Sequence, residues 1–225
     1  MQQSVLDPAR TGARRTVACA AGLFGLALLP AMAAAQGPLG IYAGTIDVTY
    51  SESNRLRRTT LSGVVRIKLP LTGSDASFDR ADTEDAPAQA SIKLMQMEIF
   101  ETAGSPDSAG RIYTDTCTLK APIEVPLEML GGLGVDKKKK TYIMHILLGS
   151  KDDVTLDCVE SVTGPHKRKE AVQLLVGTHE VGTLFAGLPF TDAAHLAATH
   201  SMVPGPGMTS NNVKSEQKWD LRLER

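Results

Sequence analysis

Val213-Lys-Ser-Glu-Gln-Lys-Trp-Asp-Leu-Arg-Leu-Glu-Arg225, the last stretch of the chain, decides the fold class. Val213, Ser215, Gln217, Trp219, Leu221 and Leu223 take alternate positions, and Lys214, Glu216, Lys218, Asp220, Arg222 and Glu224 take those between. A period of two sends successive side chains to opposite faces, so the stretch predicts a strand with one face in a core and the other in water. The same period recurs near the front. Tyr42, Gly44, Ile46, Val48 and Tyr50 oppose Thr45, Asp47 and Thr49, and Leu61, Gly63, Val65, Ile67 and Leu69 oppose Ser62, Arg66 and Lys68. With a turn over 51–54 between them, the two runs predict a hairpin.

Between these ends the pattern is shorter and less regular. Ile92 to Phe100 is apolar on both parities, as a strand covered on both faces would be. Ile112–Leu119, Thr141–Leu148, Val154–Glu160, Ala171–Val176 and Leu184–Phe190 read as further short strands. Pro70–Ala90, with Asp75, Asp79, Asp82, Glu84 and Asp85, reads as a solvated acidic loop, because the carboxylates lack the close spacing and turn glycine of a calcium loop. Pro126–Leu130 before Gly131-Gly132 suggests one helical turn, and Thr191 could cap a short alanine-rich helix through His200. The expectation is therefore an all-β, single-domain antiparallel sandwich or closed barrel of roughly nine to eleven short strands, with at most one short helix.

Residues 1–35 carry a different signature. Arg10, Arg14 and Arg15 precede an apolar run from Val17 to Leu29, and Ala33 and Ala35 place small side chains ahead of Gln36. This is the layout of a cleavable export signal ending at Ala35, with residues 36–225 as one β-rich domain in the periplasm or outside the cell. Losing Arg10, Arg14, Arg15 and Asp7 from 24 basic and 25 acidic residues leaves a net charge near −3, which argues against nucleic acid as a partner. The remainder has no apolar run of bilayer length, so no helical insertion is expected after cleavage. Aromatic residues make up only 4% of the chain, too few for the girdles of a membrane barrel.

Catalytic signatures are missing from the sequence. There is no Gly-x-Ser-x-Gly elbow, phosphate loop or dinucleotide fingerprint, and His179-Glu180 lacks its second histidine because position 183 is Thr183. Ser215 and Lys218 lie three apart in a strand and so point to opposite faces. His195 and His200 converge neither as helix nor as strand. The reading is a non-enzymatic module without cofactor or metal.

The window from Arg111 to Ser161 holds the remaining clues. Cys117 and Cys158 are the two cysteines of the mature chain, and in an oxidising compartment they predict a disulfide closing a loop of about 42 residues, worth about 4 kcal/mol by chain entropy. Ser150-Lys-Asp-Asp153 looks like a tight turn. Folded about it, Leu147 faces Leu156, His145 faces Cys158 and Ile143 faces Glu160. That hairpin would bring Lys137, Lys138, Lys139 and Lys140 beside His166, Lys167, Arg168 and Lys169 at its other end. Such a basic end would suit an anionic envelope component or an acidic protein patch. The alternative is a lipocalin-like carrier holding a small apolar ligand among Met95, Met97, Leu147 and Phe185.

Overall fold

A computed structural model describes residues 39–103, 110–178, 187–202 and 212–225, all within one unit, Gln36–Arg225. The candidate export signal, His179 and Phe185 lie outside the described residues. The chain forms β1 (Ile41–Ser53), β2 (Arg57–Pro70), β3 (Gly73–Ser74), β4 (Phe78–Asp82), β5 (Gln89–Thr102), β6 (Thr114–Thr118) and β7 (Ile123–Asp136). It continues through β8 (Thr141–Ser150), β9 (Val154–Glu160), β10 (Gly164–Glu170), β11 (Gln173–Gly177), β12 (Leu188–Pro189), β13 (His195–Met202) and β14 (Asn212–Glu224). The all-β expectation holds. The finer expectation does not: among the described residues there are fourteen strands rather than nine to eleven, and they form one sheet bent into an open half-barrel.

The count is higher because long lines of chain are interrupted. β6 and β7 lie end to end along one edge of β5, Cys117 opposite Ile99 and Val125 opposite Ile92. β8 and β9 lie end to end along that line in turn, Ser150 opposite Leu127 and Asp157 opposite Thr118. β10 and β11 repeat the arrangement against β9 and β8. The molecule is thus a meander, β13-β14-β1-β2-β5 followed by three broken lines, each antiparallel to the last. The hairpin that contains β8 reverses at Lys137–Lys140, pairing it with β7, and not at Ser150–Asp153. β8 and β9 do not pair with each other, so the expected Leu147–Leu156, His145–Cys158 and Ile143–Glu160 pairs are not formed.

Both helical expectations fail for the same reason, a partner strand on offer. Over Pro126–Leu130 burial alternates, with Val125, Leu127 and Met129 inward, so the run is the middle of β7. Gly131-Gly132 is not a helix stop. Gly131 sits at φ +115, and a Cβ there would lie 2.1 Å from the His145 carbonyl oxygen, so glycine lets β8 approach. Asp192 accepts from the Ala194 N–H at 2.9 Å in a turn, and His195 onward pairs with β14. Propensity yields to the ladder.

Ile92, Leu94, Met97 and Ile99 are buried while Lys93, Met95, Gln96 and Glu98 are exposed, so β5 is covered on one face only. A register shift opposite Ser62 and Gly63 changes the parity in mid-strand, which made both faces look apolar. Residues 70–90 hold β3 and β4, and Asp79 is only 1% exposed, with Ser74 Oγ donating to it at 2.5 Å.

The concave side is packed. Tyr42, Ile46, Val65, Ile67, Ile92, Leu94, Met144, Ile146, Trp219 and Leu221 fill it. Trp219 stands edge-on to Tyr142 and donates Nε1–H to its hydroxyl at 2.8 Å, tying β14 to β8 across the core. The half-barrel does not join β11 to β13. Instead, Gln217 of β14 faces the outer edge of β11, accepting from Gly177 N–H at 3.0 Å and donating to the Leu175 carbonyl at 2.9 Å. Among the described residues, no helix is long and apolar enough to cross a membrane.

Candidate functional site

Cys117 of β6 and Cys158 of β9 are directly opposed and joined in a disulfide across a sequence separation of 41. Both are buried, and both face the concave side with Leu156 and Ile99. The histidine opposite Cys158 is His166 of β10, not His145, which pairs with Gly177 and Gly132. Asp115 precedes Cys117 by two residues and therefore shares its face. Its Oδ2 lies 3.5 Å from Cys117 Sγ and 3.4 Å from His166 Nε2, and its Oδ1 is buried without a hydrogen-bond partner. Asp115, Cys117, Cys158 and His166 each place a ligand-type atom within 4.8 Å of the others.

Beside this cluster the inward faces of β2, β5 and β10 carry a closed ring of charge. Arg57 meets Glu101 at 3.2 Å and Glu170 at 2.5 Å. Arg168 grips Glu101 with two nitrogens, at 2.6 and 3.2 Å, and meets Glu170 at 3.2 Å. The Arg168 hydrogen bond is the main reason that the Glu101 carboxyl is held below its ordinary range, and Glu101 in turn raises the Arg168 guanidinium. The ring borders a recess of about 350 Å³ whose lining includes Tyr50, Glu52, Arg57, Thr59, Met97 and Glu170. Sequence reasoning missed the ring because its members come from three strands and no local spacing links them.

The basic residues do not converge. Lys137–Lys140 form the tip of the long hairpin, while Lys169 lies opposite Thr155, next to the 150–153 break. Some fourteen strand positions separate Thr141 from Thr155, roughly 45 Å at ~3.3 Å per residue. Lys137 is taken up by buried Asp79, 2.6 Å away, and by the Asp75 carbonyl at 2.7 Å. Arg168 is held in the ring. Lys138, Lys139 and Lys140 are exposed, with only Lys139 in an ion pair among the described residues, to Asp136 at 3.4 Å. Asp136 also accepts from the Lys138 and Lys139 N–H groups, which sets the turn and keeps its carboxyl below the usual range. Lys167 and Lys169 are exposed on the opposite face of β10 from Arg168, Lys167 lying 3.8 Å from Asp157.

The residues proposed for an apolar ligand are also dispersed. Met97 is buried, while Met95 and Leu147 are exposed on the convex side. His195 reaches Asp220 at 3.1 Å and His200 packs against Trp219, on opposite faces of β13. Comparison with known proteins gives no match for this chain, whether to a family model, a curated protein or a solved structure.

Proposed function

We propose that this chain is an exported, non-enzymatic binding module that docks an anionic envelope component through the lysine turn at 137–140. The observation that carries this reading is the exposure of Lys138, Lys139 and Lys140 at the tip of the β7–β8 hairpin, on a turn fixed by Asp136. A tip concentrates charge where a flat partner can reach it, and each lysine near an anionic surface contributes about 1 kcal/mol. The basic residues of β10 belong to a different part of the molecule and have no role in this contact.

Co-sedimentation with phosphatidylglycerol vesicles, across a salt series, tests the proposal. Lys138→Glu with Lys140→Glu should weaken binding by roughly fivefold or more per lysine and flatten its salt dependence. Lys167→Glu with Lys169→Glu should leave it unchanged. Binding by the tip variant equal to that of the parent would overturn the proposal, as would equal losses from the two pairs.

The carrier alternative gains little support from the interior. Large side chains fill the concave side, and the recess at the ring is lined by Glu52, Arg57, Thr59 and Glu170, which suits a polar occupant and not an apolar one.

A further inference from the structure

The geometry points to a second state of the disulfide region, in which Asp115, Cys117, Cys158 and His166 bind a thiophilic divalent cation such as Zn²⁺ once the disulfide is reduced. This goes beyond the lysine turn and does not depend on it. Four residues of three adjacent strands put their ligand-type atoms within 4.8 Å of one another, and they are the mixed sulfur, nitrogen and oxygen set that tetrahedral zinc takes.

The register explains why they meet. Cys117 faces Cys158 across β6 and β9, His166 faces Cys158 across β9 and β10, and Asp115 stands two positions from Cys117 on the same face. Around this frame the supporting contacts are in place. His166 Nδ1 lies 3.5 Å from the Gly164 carbonyl, so a proton there would leave Nε2 bare for a metal, the usual arrangement for a ligating imidazole. Nε2 is turned to Asp115 Oδ2 at 3.4 Å, and Asp115 Oδ1 is a buried acceptor lacking any donor. A cation held by both carboxylate oxygens would give that oxygen a partner. The His166 side chain is 39% exposed, so the cluster is open to solvent at that edge.

The chemistry balances simply. A dithiol donates two electrons and two protons to the Cys117–Cys158 bond and becomes a disulfide itself. The two thiols formed then lose their protons to solvent as the cation binds. Tetrahedral bonds of ~2.3 Å need sulfurs roughly 3.8 Å apart, a separation that side-chain rotation on fixed strands supplies. Oxidised, the group is a staple; reduced, it is a metal site.

The test uses the full mature chain, reduced with a dithiol, freed of it under argon and titrated with Co²⁺. The expected result is one ion per chain, with a thiolate-to-cobalt charge-transfer band and the visible bands of a tetrahedral site, neither of which the oxidised protein should show. His166→Ala and Asp115→Asn should each weaken binding by no less than the roughly 10- to 100-fold that losing a ligand's supporting partner costs. Should reduction alone unfold the chain, Trp219 fluorescence must return to its folded value on adding Co²⁺. Reduced protein without these bands, refolding absent, would overturn the inference, and so would binding that neither variant weakens.

Discussion

Gln217 is 1% exposed, and both ends of its side-chain amide are used. The carbonyl accepts from Gly177 N–H, and the amino group donates to the Leu175 carbonyl and to Ser215 Oγ, each at about 3 Å. Gly177 and Leu175 are alternate residues on the outer edge of β11, so the amide replaces the strand that would otherwise pair there. Its polarity in the β14 pattern was legible as an inward-facing position, but its role was not, because the partner edge lies forty residues upstream in the chain. Gln217→Leu keeps the volume and strands one buried and one half-buried backbone group. It should cost about 2–4 kcal/mol, read as a lower urea midpoint with an unchanged slope. A loss within about 0.5 kcal/mol would mean that water or another group satisfies the β11 edge.

At the scale of elements, β10 depends on the ring. As an end strand it gains only one neighbour's ladder, and Arg57, Glu101, Arg168 and Glu170 tie its inner face to β2 and β5. The side chains are 18–33% exposed, so each contact is worth nearer the exposed-pair range than the buried one. Arg168→Gln should cost about 1 kcal/mol at neutral pH. The sign of its pH dependence follows from Glu101, whose folded value is depressed by Arg168. That stabilisation is fully present above a glutamate's ordinary value of 4.5 and is lost as pH falls through the lower folded value. Stability curves of the parent and Arg168→Gln should therefore converge in acid, and a gap independent of pH would assign the loss to packing. Elements as such were unevenly legible. β1, β2 and β14 declare themselves because one face of each is solvated from end to end. β5 and β7 do not: a bulge shifts the parity of one, and Pro126 with Gly131-Gly132 imitates helix punctuation in the other.

For the molecule as a whole, the fold turned on where the chain reverses, and the composition of the two candidate turns misled. Ser150-Lys-Asp-Asp153 has turn residues but is a break within a line, while the true reversal is a lysine run that reaches φ 52 at Lys140. The cysteines carried the missing signal. If Cys117 and Cys158 are opposed in a hairpin, its centre falls midway, between Lys137 and Lys138, which is where the chain turns. An open half-barrel also has ends, and among the described residues β10 and β13 terminate the longest path of paired strands. Exposed strand edges recruit other chains unless charge opposes it, and lysine is the common guard. Lys167 and Lys169, lying far from the lysine turn, fit that role: both project from the convex face of the end strand into solvent. Replacing them by Lys167→Val and Lys169→Val should leave the unfolding midpoint of the dilute protein nearly unchanged, because neither side chain is buried. At higher concentration the variant should self-associate, seen as a sedimentation coefficient that climbs with loading while the parent's stays constant. The tip variant Lys138→Val with Lys140→Val supplies the contrast, since a turn offers no ladder to extend. Equal association by the two would trace the effect to lost charge in general, and none by the β10 variant would show that its edge needs no guard.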